Sequence, residues 1–385
     1  MRNITFLALG FALLSNFQVF SQNERDRVIT TAVPFLLIAA DARAAGMGDQ
    51  GVATSSDAFS QQWNPAKFAF ITSQQGVGVA YTPYLSSIVN DIFLGNLTYF
   101  NRLDERSAVA ASLRYFSLGS IETQGGFEEV PLLLSPNELT LDLSYALRLS
   151  DNFSMAVAGR YLRSDLRLSV GNEDATAAST FGVDVAGFYQ GPNIYFNNFD
   201  GRFRAGFNIS NIGPKIKYDA VGQENFIPTN LKVGTGFDFI FDASNRLGTY
   251  IEFNKLLVPT PRDFNNDGVI DRADEEEYNK IGSIEGIFKS FSDAPDGFSE
   301  ELKEITWAFG AEYVFQDAFS LRTGYFNESD TKGSRKFVSV GAGFKYTPVI
   351  IDVSYLFSTS NVVSPLEGTL RFGLTFNFGE AYREN

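Results

Sequence analysis

The segment from Thr369 to Phe378 alternates strictly between apolar and polar or small side chains. Successive side chains of a β-strand point to opposite faces, so this alternation places every large apolar side chain on one face. Those side chains belong to Leu370, Phe372, Leu374, Phe376 and Phe378. Alternating segments of about ten residues are typical of the strands of a transmembrane β-barrel, whose apolar face meets lipid.

Fourteen segments of this kind follow one another, with ends that the pattern fixes only to within about 2–4 residues. We predict strands at 76–84, 91–100, 107–118, 138–149, 152–164, 179–189, 201–211, 230–241, 246–257, 303–315, 318–327, 335–346, 348–358 and 369–378. Links after most even-numbered strands are short, whereas the links after the third, seventh and ninth are long. Short periplasmic turns and long extracellular loops are typical of outer-membrane barrels. The sequence therefore predicts an all-β fold, a 14-stranded antiparallel transmembrane β-barrel over residues 76–385, with residues 258–302 as an extracellular loop.

The N-terminal part of the chain differs from the strands. Residues 1–22 combine Arg2 with a short apolar run, which is typical of a secretory signal peptide. Residues 23–75 lack the alternation but carry apolar and small side chains, so we predict an N-terminal hatch that folds into the lumen as a plug. The alternative is a disordered extension, which the apolar content argues against. A signal followed by barrel strands predicts localisation in the cell outer membrane. A soluble barrel or sandwich is the alternative fold, and its apolar face would point inward.

The composition excludes several kinds of chemistry. The chain has no cysteine and no histidine, so it lacks thiol nucleophiles, the commonest general base and the commonest transition-metal ligand. We therefore predict that it is not an enzyme. Its net charge of −14 argues against nucleic acid as a partner. Small or acidic residues on the polar strand faces are interpreted as lumen-facing packing or hydrogen-bonding groups: Gly234, Gly236, Gly341, Gly343, Asp142, Asp184 and Asp352.

The loop at 258–302 contains a motif with a recognisable chemistry. Its residues 263–274 match the twelve-residue calcium loop of the EF-hand, with Gly268 at the position that needs a sharp turn. We predict a structural Ca²⁺ in this loop, with Asp271 acting through water. The ligands would be Asp263, Asn265, Asp267, the carbonyl of Val269, Asp271 and Asp274. The alternative is an acidic, solvated loop with an Asn-Asp-Gly turn.

A second set of residues resembles a known family. Residues 32–36, 42–48, 51–53 and 63–66 read Ala-Val-Pro-Phe-Leu, Ala-Arg-Ala-Ala-Gly-Met-Gly, Gly-Val-Ala and Trp-Asn-Pro-Ala. Together they resemble the N-terminal signature of the PorV (LptO) family of outer-membrane proteins of the type IX secretion system. The Gly-Met-Gly and Asn-Pro-Ala parts are shared with FadL-like barrels. In those barrels the N-terminus forms a hatch inside fourteen strands, which agrees with the strand count above.

The resemblance implies a protein-handling function. A PorV-like protein would be a shuttle that binds the C-terminal signal domain of secreted cargo at the SprA/Sov translocon. It would then deliver the cargo to the cell-surface attachment complex that contains the PorU sortase, with outer-membrane lipid around the barrel. The shared fold leaves a FadL-like transporter of small hydrophobic molecules as the alternative function. An enzyme that acts on outer-membrane lipid is a third possibility, against which the absence of histidine argues.

Overall fold

The alternating segments form fourteen strands in a single antiparallel sheet that closes on itself. The computed structural model describes residues 27–86, 88–123, 132–166, 177–218, 224–360 and 364–382, so the predicted signal peptide lies outside the described residues. The strands are β1 (Ser73–Pro83), β2 (Ile92–Arg102), β3 (Ser107–Leu118), β4 (Asn137–Arg148), β5 (Phe153–Asp165), β6 (Ala178–Gln190), β7 (Asp200–Ile212), β8 (Asn230–Ile240), β9 (Asn245–Leu256), β10 (Ile305–Phe315), β11 (Phe319–Asn327), β12 (Lys336–Tyr346), β13 (Val349–Ser358) and β14 (Leu370–Ala381). Each strand pairs with its neighbours in sequence, and β14 pairs with β1 to close the barrel.

The predicted strand count is confirmed, and no strand end differs from its prediction by more than three residues. The largest differences lie at the two ends of the barrel. The first strand begins at Ser73 rather than residue 76, and the last strand continues past residue 378 to Ala381. Both extensions have one cause: Ser73 pairs with Ala381 across the closing seam, and this pairing is not visible in either segment alone.

The outer face of the barrel is apolar, whereas its inner face carries the buried polar and charged side chains of the wall. In β4 the side chain of Leu143 is 66% exposed, whereas Asp142 and Ser144 on either side of it are 4% and 3% exposed. In β14 the same contrast separates Phe372, which is exposed, from Arg371, which is buried. A soluble β-protein would show the opposite arrangement. The predicted transmembrane barrel is therefore confirmed, and the soluble alternative is wrong.

The links between strands are short at one end of the barrel and long at the other. The first strand starts, and the last strand ends, at the short-turn end. The longest link, residues 257–304, carries the helices α3 (Arg272–Tyr278), α4 (Ser283–Lys289) and α5 (Phe298–Lys303). Additional two- to three-residue strands lie at Ile121–Thr123, Leu132–Leu134 and Ile194–Tyr195. None of the helices in the described part of the chain is long and apolar enough to cross a membrane.

Residues 27–71, here called the N-terminal segment, pack against the inner face of the barrel. They contain the short helices α1 (Ala42–Ala45) and α2 (Ser60–Trp63) and the 3₁₀ turns Pro34–Leu37 and Pro65–Phe70. Aromatic rings join the segment to inward-facing rings of the wall. The pairs are Phe35 with Phe116, Phe68 with Phe100, and Phe70 with Phe188, with ring centroids 5.8, 5.6 and 5.7 Å apart. All six rings are buried, so the apolar core lies between segment and wall.

Candidate functional site

The predicted calcium loop forms a tight turn directly before α3. Asn266 and Gly268 adopt positive φ angles of 61° and 93°, which lets the chain reverse within a few residues. The carboxylate of Asp263 accepts a hydrogen bond from the N–H of Gly268 at 2.7 Å and so closes the turn. Asp271 caps the start of α3 and accepts a hydrogen bond from the N–H of Ala273. The short helix follows the loop as in an EF-hand half-site.

The carboxylates of this loop bond to its own backbone. Asp274 is buried, and its two oxygens accept hydrogen bonds from the N–H groups of Phe264 at 2.6 Å and Asp271 at 3.0 Å. The N–H of Asp271 lowers the pKa of the Asp274 carboxyl below its ordinary value, which keeps it ionised. Asp267 likewise accepts from the N–H of Val269. Among the described residues, no three acidic side chains converge tightly enough to form a metal site. The loop thus has the donor types that calcium needs, held in one turn, and the calcium ion remains a proposal.

We expect millimolar calcium to protect the 258–302 loop from protease, because a bound ion would link side chains along the whole motif and hold the loop rigid. Extracellular calcium modules bind with dissociation constants of about 10⁻⁴–10⁻³ M, which sets the titration range. Changing both Asp263→Ala and Asp267→Ala should abolish the protection while the barrel remains folded. The control is the pair Glu276→Ala and Glu277→Ala, which removes two exposed charges outside the motif. Equal cleavage rates with calcium and with chelator in the unmodified protein would contradict the site.

The Gly-Met-Gly part of the family-like signature approaches the barrel wall backbone to backbone. A Cβ added at Gly46 would lie 3.1 Å from the Cα of Gly341 on β12. Gly48 has a φ of 83° and donates its N–H to the Ser339 hydroxyl at 2.8 Å. These contacts explain why small residues occur here, and they confirm that Gly341 is a small, lumen-facing residue.

The Asn-Pro-Ala part anchors the opposite side of the N-terminal segment. The side-chain amide of Asn64 donates to the carbonyl of Val52 within the segment and to the carbonyl of Gly187 on β6, at 2.9 and 3.0 Å. The N–H groups of Gly51 and Val52 both donate to the buried carboxylate of Glu252 on β9, each at 2.8 Å. The signature residues therefore connect the segment to several parts of the wall.

A buried chain of ion pairs also joins the segment to the wall. Arg43 contacts Glu312 on β10 at 2.7 Å and Asp57 at 2.6 Å. Arg322 on β11 contacts the same Glu312 at 2.7 Å and Asp352 on β13 at 2.6 Å. The interpretation of Asp352 as a hydrogen-bonding group of the interior is confirmed. Its partner Arg322 escaped sequence analysis, and so did the contact between Glu312 and Arg43 of the segment.

A cavity of about 380 Å³ opens beside this ion network at the short-turn end of the barrel. Its lining includes Arg43, Asp57, Glu312, Arg322 and Asp352, together with turn residues of the wall. These charged groups are paired with one another, and apolar side chains such as Phe59, Phe344 and Phe378 also line the cavity, so its lining is mixed.

Comparisons with known proteins agree with this architecture. The family model described as "Type IX secretion system protein PorV" matches residues 20–263. Among solved structures, the toluene transporter TodX of Pseudomonas putida is 12% identical, with 91% of this chain and 99% of that chain covered and a TM-score of 0.51. The toluene transporter TbuX of Ralstonia pickettii is 13% identical, with 90% and 100% covered and a TM-score of 0.47. The TodX likeness supports the barrel fold alone. No curated protein matches the sequence.

Proposed function

This chain belongs to the PorV family of type IX secretion proteins, and we propose that it is the outer-membrane shuttle of that system. In this proposal it binds the C-terminal signal domain of secreted cargo at the SprA/Sov translocon and delivers the cargo to the attachment complex that contains the PorU sortase. The family match over residues 20–263 carries the proposal. Binding and release would be the whole activity, since a chain without histidine or cysteine lacks the commonest general base and all thiol nucleophiles.

The anchoring of the N-terminal segment to the wall is consistent with a shuttle whose lumen stays closed. Residues of the family signature are hydrogen-bonded to the wall at β6, β9 and β12. We propose that the segment closes the lumen, so that cargo is handled on the surface of the long loops. Those loops would face outside the cell, as the split between short and long links predicts.

A transporter of small hydrophobic molecules is the competing proposal. TodX is a toluene transporter, and its barrel is similar to this one. Such a transporter needs an apolar path and an exit through the wall. Over its whole described length, β3 pairs with β2 and with β4 without a register shift. The cavity described above has a mixed lining of charged and apolar side chains, so it does not distinguish the two proposals. The unbroken pairing of β3 favours the shuttle.

Deletion of the gene separates the two proposals in one strain. We expect cargo with C-terminal signal domains to disappear from the cell surface and to accumulate in the periplasm or on the translocon. Growth on long-chain lipids or aromatic hydrocarbons should not change. Cell fractionation with immunodetection of a cargo protein measures the first effect, and growth curves measure the second. Complementation with the unmodified chain is the control. Normal surface display of cargo in the deletion strain would sink the shuttle proposal.

A further inference from the structure

The helix α5 turns its charged residues inward and its apolar residues outward. Glu300, Glu301 and Glu304 are only 5–7% exposed. Phe298 and Leu302, one helical turn apart, are 76% and 52% exposed. A helix that faces water has the opposite arrangement, with its apolar stripe packed against the protein. Like the strands of the barrel wall, α5 therefore has its apolar side chains on the outside and its charged side chains on the inside.

Buried basic groups hold α5 in this orientation. Lys332, from the link after β11, contacts Glu300 and Glu304 at 2.7 and 2.9 Å. Lys255, at the end of β9, contacts Glu301 and Glu304 at 3.0 and 2.7 Å. If α5 rotated to bury Phe298 and Leu302, both lysines would lose their partners inside the protein. The exposure of the apolar side chains is therefore a fixed feature of the fold.

The exposed side chains of α5 lead directly into the lipid-facing surface of the barrel. The chain passes from α5 into β10, whose outward side chains include Trp307 and the half-exposed Phe309. Trp307 packs beside Tyr325 with ring centroids 5.6 Å apart, close to the long-loop ends of β10 and β11. Aromatic residues at this level of a barrel mark the boundary between acyl chains and headgroups. Helix α5 thus ends where that boundary lies.

The preceding helix adds to the same type of surface. The exposed residues Ile284, Phe288 and Phe291 are spaced i, i+4 and i+7, so they share one face of α4 and its C-terminal end. Its Glu285 and Lys289 form an exposed ion pair beside that face. An apolar face bordered by charged groups is typical of helices that lie in a membrane interface.

We propose that the apolar loop face, made of Ile284, Phe288, Phe291, Phe298 and Leu302, lies on the outer leaflet of the membrane beside β10. Lipid contacts this face, at the level where the headgroups meet the acyl chains. Continuity with the lipid-facing wall, and the inverted polarity of α5, favour lipid over a protein partner. The loop 257–304 is then anchored at the bilayer surface rather than projecting freely from it. This proposal does not depend on the secretion function.

Single-cysteine fluorescence tests the proposal, because the natural chain has no cysteine and each engineered one is unique. Phe298→Cys and Leu302→Cys are labelled with the environment-sensitive dye NBD and reconstituted into phosphatidylcholine vesicles. The matched control is Ser299→Cys, an exposed polar site on the same helix that lies beside the apolar face but is not part of it. We expect nitroxide lipids to quench the dye at 298 and 302 severalfold more than at 299, with blue-shifted emission. Aqueous iodide should show the reverse order. A difference in gel migration between unheated and boiled samples (heat-modifiability) confirms that each variant is folded.

Two results would overturn the proposal. Equal quenching by iodide at 298, 299 and 302, with none by lipid nitroxide, would show that the face is in water. Dye that is exposed in pure vesicles but protected in native outer membranes would assign the face to a protein partner.

Discussion

A Gly324→Ala variant is expected to push the N-terminal segment away from the wall and, on the proposal that this segment closes the lumen, to make the barrel conduct ions. A Cβ at this position on β11 would lie 2.0 Å from the carbonyl carbon of Met47 and 2.2 Å from the nitrogen of Gly48. Both contacts are backbone atoms of the Gly-Met-Gly turn, so no side-chain rotation can relieve them. Overpacking a filled interior costs typically about 1–3 kcal/mol. The segment is joined to the wall by hydrogen bonds and ring contacts rather than by strand pairing, so we expect the segment, not the barrel, to move.

Planar-bilayer recording measures the expected effect, with the unmodified protein giving little conductance and Gly324→Ala giving stable open channels. Protease should also cut the N-terminal segment of the variant faster. Gly159→Ala on β5 is the matched control, because nothing lies within 4 Å of a Cβ there. Unchanged conductance and unchanged cleavage in Gly324→Ala, with the barrel folded, would show that the segment stays in place and that the wall accommodates the added methyl group.

The strands were predictable because lipid and lumen select opposite side chains at every second residue. That selection acts along each strand, so Leu143 can be assigned outward and Asp142 inward without knowledge of any partner strand. The short helix after the predicted calcium loop is α3, and it was foreseeable from the acidic run at its start, since acidic residues stabilise a helix N-terminus. Both features depend on residues close together in the sequence, so side-chain alternation and helix-terminus preferences are enough to predict them.

The partners of the buried charges were not predictable, because they are distant in sequence. Arg43 and Glu312 are 269 residues apart, and Arg27 and Glu300 are 273 apart. Period-two patterning assigns a carboxylate to the lumen but gives no information about which guanidinium meets it across the barrel. The orientation of α5 was hidden for the same reason: its buried glutamates depend on lysines from two other parts of the chain. The predicted calcium ligands are a third example, since the order of oxygens along a loop does not determine whether they converge.

Removal of the Arg160 side chain is expected to destabilise the barrel strongly. On β5, Arg160 lies between Asp142 of β4 and Asp184 of β6, and contacts both. All three side chains are at most 4% exposed. Asp184 also accepts the N–H of Asn211 at 2.7 Å, where β7 bulges and Asn211 takes a φ of 61°. An Arg160→Met change would leave two buried carboxylates without their main cation and would weaken the support of this bulge. Breaking a buried pair by removing one partner costs about 3–5 kcal/mol.

Urea unfolding in detergent micelles, followed by tryptophan fluorescence, measures this loss of unfolding free energy.

A second change distinguishes charge from packing: Asp184→Asn in the Arg160→Met background removes one uncompensated carboxylate and should restore part of the stability. The control is Lys345→Met, which breaks an exposed ion pair with Asp317 and should cost at most about 1 kcal/mol. If the double variant is no more stable than Arg160→Met, the loss comes from packing around the arginine. In that case the unpaired interior carboxylates would cost little unfolding free energy. That result is expected if water fills the lumen around them, and not if the N-terminal segment occupies it.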